Sequence, residues 1–234
     1  MSEERKKLNV GERLLALVFW IFFACCGAAF MEHSTDAAEK LRHFEQLQLV
    51  TATGFKNSVP GKLVAIEGHV SKHTPTQFNQ FVAYIRQQYE GTDDMEVLWS
   101  EDLRVTPPLV LALPDALIQI KNNSYNIERF PITWQEDSKL IRNSVTNEGT
   151  KRYLGFEVDS PVLAFGVVVQ GVEGKALEAE WIYGGTSAEY IDGIRHEERF
   201  RFWMGLSMLI GGVIIAVKVL ANPIQRDDSS ANIN

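Results

Sequence analysis

Cysteine is nearly missing from this chain. Only Cys25 and Cys26 occur among 234 residues, side by side and inside an apolar run. Adjacent cysteines rarely bond each other, and no C-x-x-C or Cys/His set is present to hold zinc. Residues 32–201 contain no cysteine at all, so whatever they fold into needs no disulfide. An excess of positive charge is missing as well. The formal net charge is −7, and residues 32–202 carry 17 Lys and Arg against 25 Asp and Glu. Nucleic acid is therefore not an expected partner, since phosphate binding needs a basic stripe. Catalytic signatures are also missing: there is no G-x-x-x-x-G-K-[ST] phosphate loop and no G-x-S-x-G elbow. His196-Glu197-Glu198 begins like a zincin helix, but Phe200 stands where that motif needs its second histidine. His69 and His73 stand four apart, with no obvious third ligand, and a metal site needs three or four. The carboxylate pairs Asp93/Asp94 and Glu101/Asp102 read as solvated charge. No catalytic residue, metal or cofactor is expected, and the chain does not read as an enzyme.

Long apolar runs, by contrast, are present near both ends. Residues 14–31 (LLALVFWIFFACCGAAFM) hold no charge, and residues 202–220 (FWMGLSMLIGGVIIAVKVL) hold one, Lys218, placed to snorkel toward headgroups. At 1.5 Å per residue each run approaches the hydrocarbon thickness of a bilayer, about 30 Å. Both read as transmembrane helices. The first also resembles a signal peptide, with a basic flank and Gly27-Ala28-Ala29 as a cleavage site, but it exceeds the usual apolar length of such segments. Arg5, Lys6, Lys7 and Arg13 precede the first run, so the positive-inside rule places the N-terminus, and with two spans the C-terminus, on the inner side. That side is cytoplasmic, stromal or matrix, and the central domain then faces the periplasm, a lumen or an intermembrane space. The expected organisation is a basic N-terminus (1–13), a span (14–31), a β-rich outer domain (32–201), a second span (202–220) and a disordered tail (221–234). The fold class is an α+β membrane protein, two transmembrane helices flanking a β-rich domain.

Within the outer domain, 36–47 (DAAEKLRHFEQL) has a helical apolar face, and 62–71 (KLVAIEGHVS) alternates as a strand. Residues 78–89 tilt toward a strand through Val82, Tyr84 and Ile85. The apolar stretch 106–120 (TPPLVLALPDALIQI) is too short and proline-broken to span, and reads as core strands around a bend. Asn122 opens an N-x-S sequon that matters only where the host glycosylates. Residues 162–170 and 176–183 read as a hairpin around the turn GVEGK. Gly184-Gly185 ends it, and Thr186 with Glu189 has the spacing of a capping box for a helix leading to the second span. Small residues recur at membrane-helix packing spacings: Ser207 with Gly211, Gly212 with Ala216, and Ala24 with Ala28. These faces are expected to pack the spans together or to dock a partner span.

KLVAIEGHV at 62–70 and PVLAFGVVVQGVEGKALEAEW at 161–181, set between two spans, resemble the membrane-flanking (GIDE/BAM-type) domain of the MULAN/GIDE group. The resemblance covers about 14–220. It implies a β-rich, membrane-facing domain with a regulatory or interaction role. Ligases of that group carry a zinc-binding RING after the second span. Here ANPIQRDDSSANIN holds neither cysteine nor histidine, so ligase activity is not implied. The expected function is non-catalytic: the outer domain scaffolds or regulates a membrane protein complex, with other membrane proteins and the bilayer as partners. Two alternatives are a sensor of a small ligand or lipid, and a membrane-bound hydrolase-like enzyme.

Overall fold

The structure, a computed structural model, describes residues 10–93, 96–136, 150–172 and 174–221. The first nine residues, Asp94 and Met95, the polar stretch 137–149, Glu173 and the tail from 222 lie outside the described residues. The protein is mixed α/β with extensive sheets, and it divides into two units: Glu45–Ile191, and Met1–Phe44 together with Asp192–Asn234.

Five strands of the first unit close on themselves. β1 (Leu63–Val70) pairs antiparallel with β4 (Leu109–Leu113) on one side and with β9 (Pro161–Gly171) on the other. β4 pairs antiparallel with β5 (Ala116–Ile120), and β9 pairs antiparallel with β10 (Gly174–Gly184). β5 and β10 then meet in parallel, Ile120 against Leu177, which completes the ring. Numbered as barrel strands in chain order, the ring runs first, second, third, fifth, fourth: the topology of an OB-type barrel. Every second side chain points inward, as the two-residue period requires. Val64, Ile66, Leu109, Leu111, Ile118, Ile120, Val162, Ala164 and Leu177 meet in one buried core. On β10 the inward series steps from Ala179 to Ile182, because the register shifts there and Glu180 is the extra residue of a bulge. Gly166 lies opposite that bulge. A Cβ on it would stand 2.1 Å from the Glu178 carbonyl oxygen, so the crossing of β9 and β10 admits only glycine.

The chain between β1 and β4, and that between β5 and β9, supply a second sheet. Its order is β3 (Glu96–Val105), β2 (Phe81–Asp93), β8 (Lys151–Glu157), β7 (Ile132–Gln135). Val82, Ala83 and Phe156 join the barrel core, while Phe81, Tyr84 and Tyr153 form a separate aromatic cluster with Phe78. β2 runs on to Asp93 and β3 starts at Glu96. Asp102 is the extra residue of a bulge on β3. It meets Arg86 at 2.9 Å and Lys151 at 2.8 Å, so this carboxylate is ion-paired within the sheet.

A short strand, β6 (Asn126–Glu128), continues beside β10 where β5 leaves off. The break between them is bridged by a side chain: Ala179 N–H donates to Asn122 Oδ1 at 2.8 Å, and Asn122 Nδ2 donates to the Ala179 carbonyl at 2.7 Å. A helix that the sequence pattern did not signal, α2 (Ala52–Asn57), carries Phe55 into the barrel core; Thr51 caps it by accepting from Gly54 N–H.

The second unit is built from two long helices, α1 (Val10–Gln46) and α3 (Ser187–Ala221), each of which also reaches into the first unit. The apolar run 14–31 and the helix expected at 36–47 are one uninterrupted helix. Among the described residues one segment, Ser187–Lys218, is long and apolar enough to cross a membrane. The apolar part of α1, Leu17–Glu32, is shorter than that.

Candidate functional site

α3 starts on the outer face of the barrel, and a cluster of polar and aromatic contacts fixes that start. Glu189 N–H donates to Thr186 Oγ1 at 3.2 Å while Thr186 N–H donates to Glu189 Oε2 at 3.1 Å, the two reciprocal bonds of a capping box. Ser187 N–H donates to Glu67 Oε2 at 3.0 Å, which ties the first helical turn to β1. Arg129 closes the cluster, 3.2 Å from Glu189 and donating to Tyr183 Oη at 2.8 Å. Tyr190 packs beside the stacked pair Phe165 and Trp181 and against Tyr183. Burial, reinforced by Glu128 and Tyr183, pushes the Tyr190 hydroxyl up to about 12. Gly184 and Gly185 thus belong to a satisfied helix start.

Beside this start a groove of about 910 Å³ runs along the edge of β1. Leu49, Val50, Leu113 and Pro114 give it apolar walls. Glu67, His69, Asp115 and Asp159 are its titratable groups, and no Lys or Arg is among the described residues lining it. Sequence reasoning missed this groove because its lining comes from three separated stretches, 49–52, 67–69 and 112–115, and from Asp159. Glu67 both lines it and caps α3.

In the helical unit, α1 and α3 come close together at a pair of glycines. A Cβ on Gly27 would stand 2.9 Å from Gly205 O, and one on Gly205 would stand 2.8 Å from Gly27 O. Further along, Gly212 faces Trp20 and Phe23. The two helices therefore run antiparallel. Of the residues singled out by small-residue spacing, Gly212 lies in this contact, while a Cβ on Gly211 would meet nothing within 4 Å. Ser207 is exposed and donates to the Met204 carbonyl of its own helix. Ala24 and Ala216 are half-buried and Ala28 is exposed. Gly205 falls outside the four-residue spacings legible in the sequence, because the contact on α3 repeats at seven residues, Gly205 to Gly212.

The histidines do not converge. β1 ends at Val70, so His73 lies beyond the strand that carries His69, and its Nδ1 is 3.0 Å from Ser71 Oγ. Among the described residues no three of His, Cys, Asp and Glu are grouped to hold a metal ion. Neither a protein-family model, nor a curated protein, nor a solved structure matches this chain.

Proposed function

We propose that this protein is a two-span membrane protein whose β unit, on the outer side, scaffolds or regulates a membrane protein complex without catalysis. The observation that carries the reading is the surface of α3. Phe202, Trp203, Ile210, Val213, Ile214 and Val217 are all exposed, and they share one broad apolar face of the helix. Lipid is the environment in which such a helix is stable. The antiparallel run of α1 beside α3 supports a second crossing, as does the exposed series from Leu14 to Phe22. With the basic flank before α1, both termini then share the inner side. The resemblance to the MULAN/GIDE membrane-flanking domain points the same way, toward an interaction role for the β unit.

Sealed vesicles carrying the protein test the reading. Alkaline carbonate should leave it in the membrane, and protease added outside should digest the β unit while sparing both tails. Extraction by carbonate would refute the anchor. Loss of the tails with protection of the β unit would reverse the orientation.

A further inference from the structure

We propose that the groove beside β1 binds an extended, basic and apolar segment of a partner polypeptide. The proposal rests on the scaffold reading above and names the surface of the β unit that does the recruiting. Charge is the first argument. The walls offer carboxylates from Glu67, Asp115 and Asp159 over an apolar floor, with no Lys or Arg among the described lining residues. Lysine or arginine side chains alternating with apolar ones complement that surface, and acidic or neutral segments do not.

The second argument is the backbone of β1. Ala65 exchanges bonds with the incoming segment, Val50 N–H to Ala65 O and Ala65 N–H to Gln48 O. His69 pairs with Ala112, and Ser71 N–H donates to Val110 O. Residues two apart on a strand present their N–H and C=O to the same edge, so Glu67 presents its own between these two partners, toward the groove. The register that sets His69 opposite Ala112 would set Glu67 opposite Pro114, which has no N–H to give. The pairing of β1 with β4 accordingly ends at His69. An extended peptide can satisfy this opening through its main chain while its side chains enter the groove, as in strand addition. A lipid tail has no such groups. The volume, about 910 Å³, takes several residues of such a segment.

The test uses the full chain in neutral maltoside micelles and a fluorescent, acetylated and amidated heptapeptide alternating valine with lysine, followed by anisotropy. Asp115 and Asp159 are exposed, and Asp159 has φ +64°, a conformation asparagine shares readily, so a D115N/D159N double variant keeps the fold. Saturable binding is expected, weakened about tenfold in the double variant and by added salt. The glutamate counterpart of the peptide should not bind, and N-methylation of its central residues should weaken binding. Equal binding to wild type and double variant, or equal binding of the glutamate peptide, would overturn the proposal. So would indifference to N-methylation together with full displacement by dodecylammonium, which would identify an amphiphile site. Absent binding by protein that still resists carbonate extraction would remove the groove and leave the anchor standing.

Discussion

Asn122 acts as a strand residue through its side chain. Its amide bonds both backbone groups of Ala179, at the point where β5 gives way to β6 and β10 is bulged. Asn122→Ala should cost about 1–3 kcal/mol, the usual consequence of leaving buried polar groups unpaired, measured by chemical denaturation. The same residue opens the sequon, and both hydrogens of its Nδ2 are engaged, one by Ala179 O and one by Ser124 Oγ. A glycan would replace one of them. Two tyrosines should make themselves felt in alkali. Burial raises Tyr125 above the ordinary phenol range, where its hydroxyl donates to Pro107 O, and burial raises Tyr190 to about 12. A folded value above the unfolded one, about 10, means full stability below pH ~10 and progressive loss as pH rises toward 12. Tyrosinate absorbance from these two should appear at higher pH than that of an ordinary phenol. At the acid end, the hydrogen bond from Arg86, aided by Lys151, lowers Asp102 below its usual 3.8. Its contribution is present above that value and is lost as pH falls through the depressed one, so Asp102→Asn should flatten the acid limb of the stability profile.

At the scale of elements, the strands expected at 62–71, 162–170 and 176–183 coincide with β1, β9 and β10 to within a few residues. Alternation and glycine turns made them legible, because a strand with one buried face must alternate and a hairpin must turn. Pairing between strands was not legible. β5 meets β10 across more than fifty residues of chain, and nothing local in either segment records it. The bulge at Glu180 hid too, since a single extra residue leaves the apolar pattern almost unchanged while turning the strand. α2 is short and is held by Phe55 in the core, so no helical period could announce it. Two substitutions test this level. Thr186→Ala removes the acceptor for Glu189 N–H and should cost about 1 kcal/mol. Gly166→Ala drives a methyl into the Glu178 carbonyl and should cost more, by at least a kcal/mol or so, because backbone on both strands must shift. Thermal unfolding of the two variants side by side should rank them in that order.

For the molecule as a whole, the open question is what holds α1 against α3. On the two-span reading proposed above, apolar side chains gain little by leaving lipid for another helix, so association depends on close backbone approach. The geometry locates that approach at Gly27 and Gly205, where each glycine occupies the space a side chain on the other would need, and at Gly212 against Trp20 and Phe23. Gly211, one residue away on the same helix, faces open space. Leucine is as compatible with insertion as glycine, so Gly205→Leu and Gly211→Leu should both resist carbonate extraction. They should part in the packing of the pair. Dodecyl sulfate titrated into mixed micelles, with tryptophan fluorescence reporting on Trp20 and Trp203, should separate the helices of Gly205→Leu at a lower detergent fraction than wild type. The loss should be about 1–3 kcal/mol, the range for overpacking a close contact. Gly211→Leu should follow the wild-type curve. Identical curves for all three proteins would mean that the glycine contact does not hold the helices, and equal loss in both variants would mean that α3 turns a different face to α1.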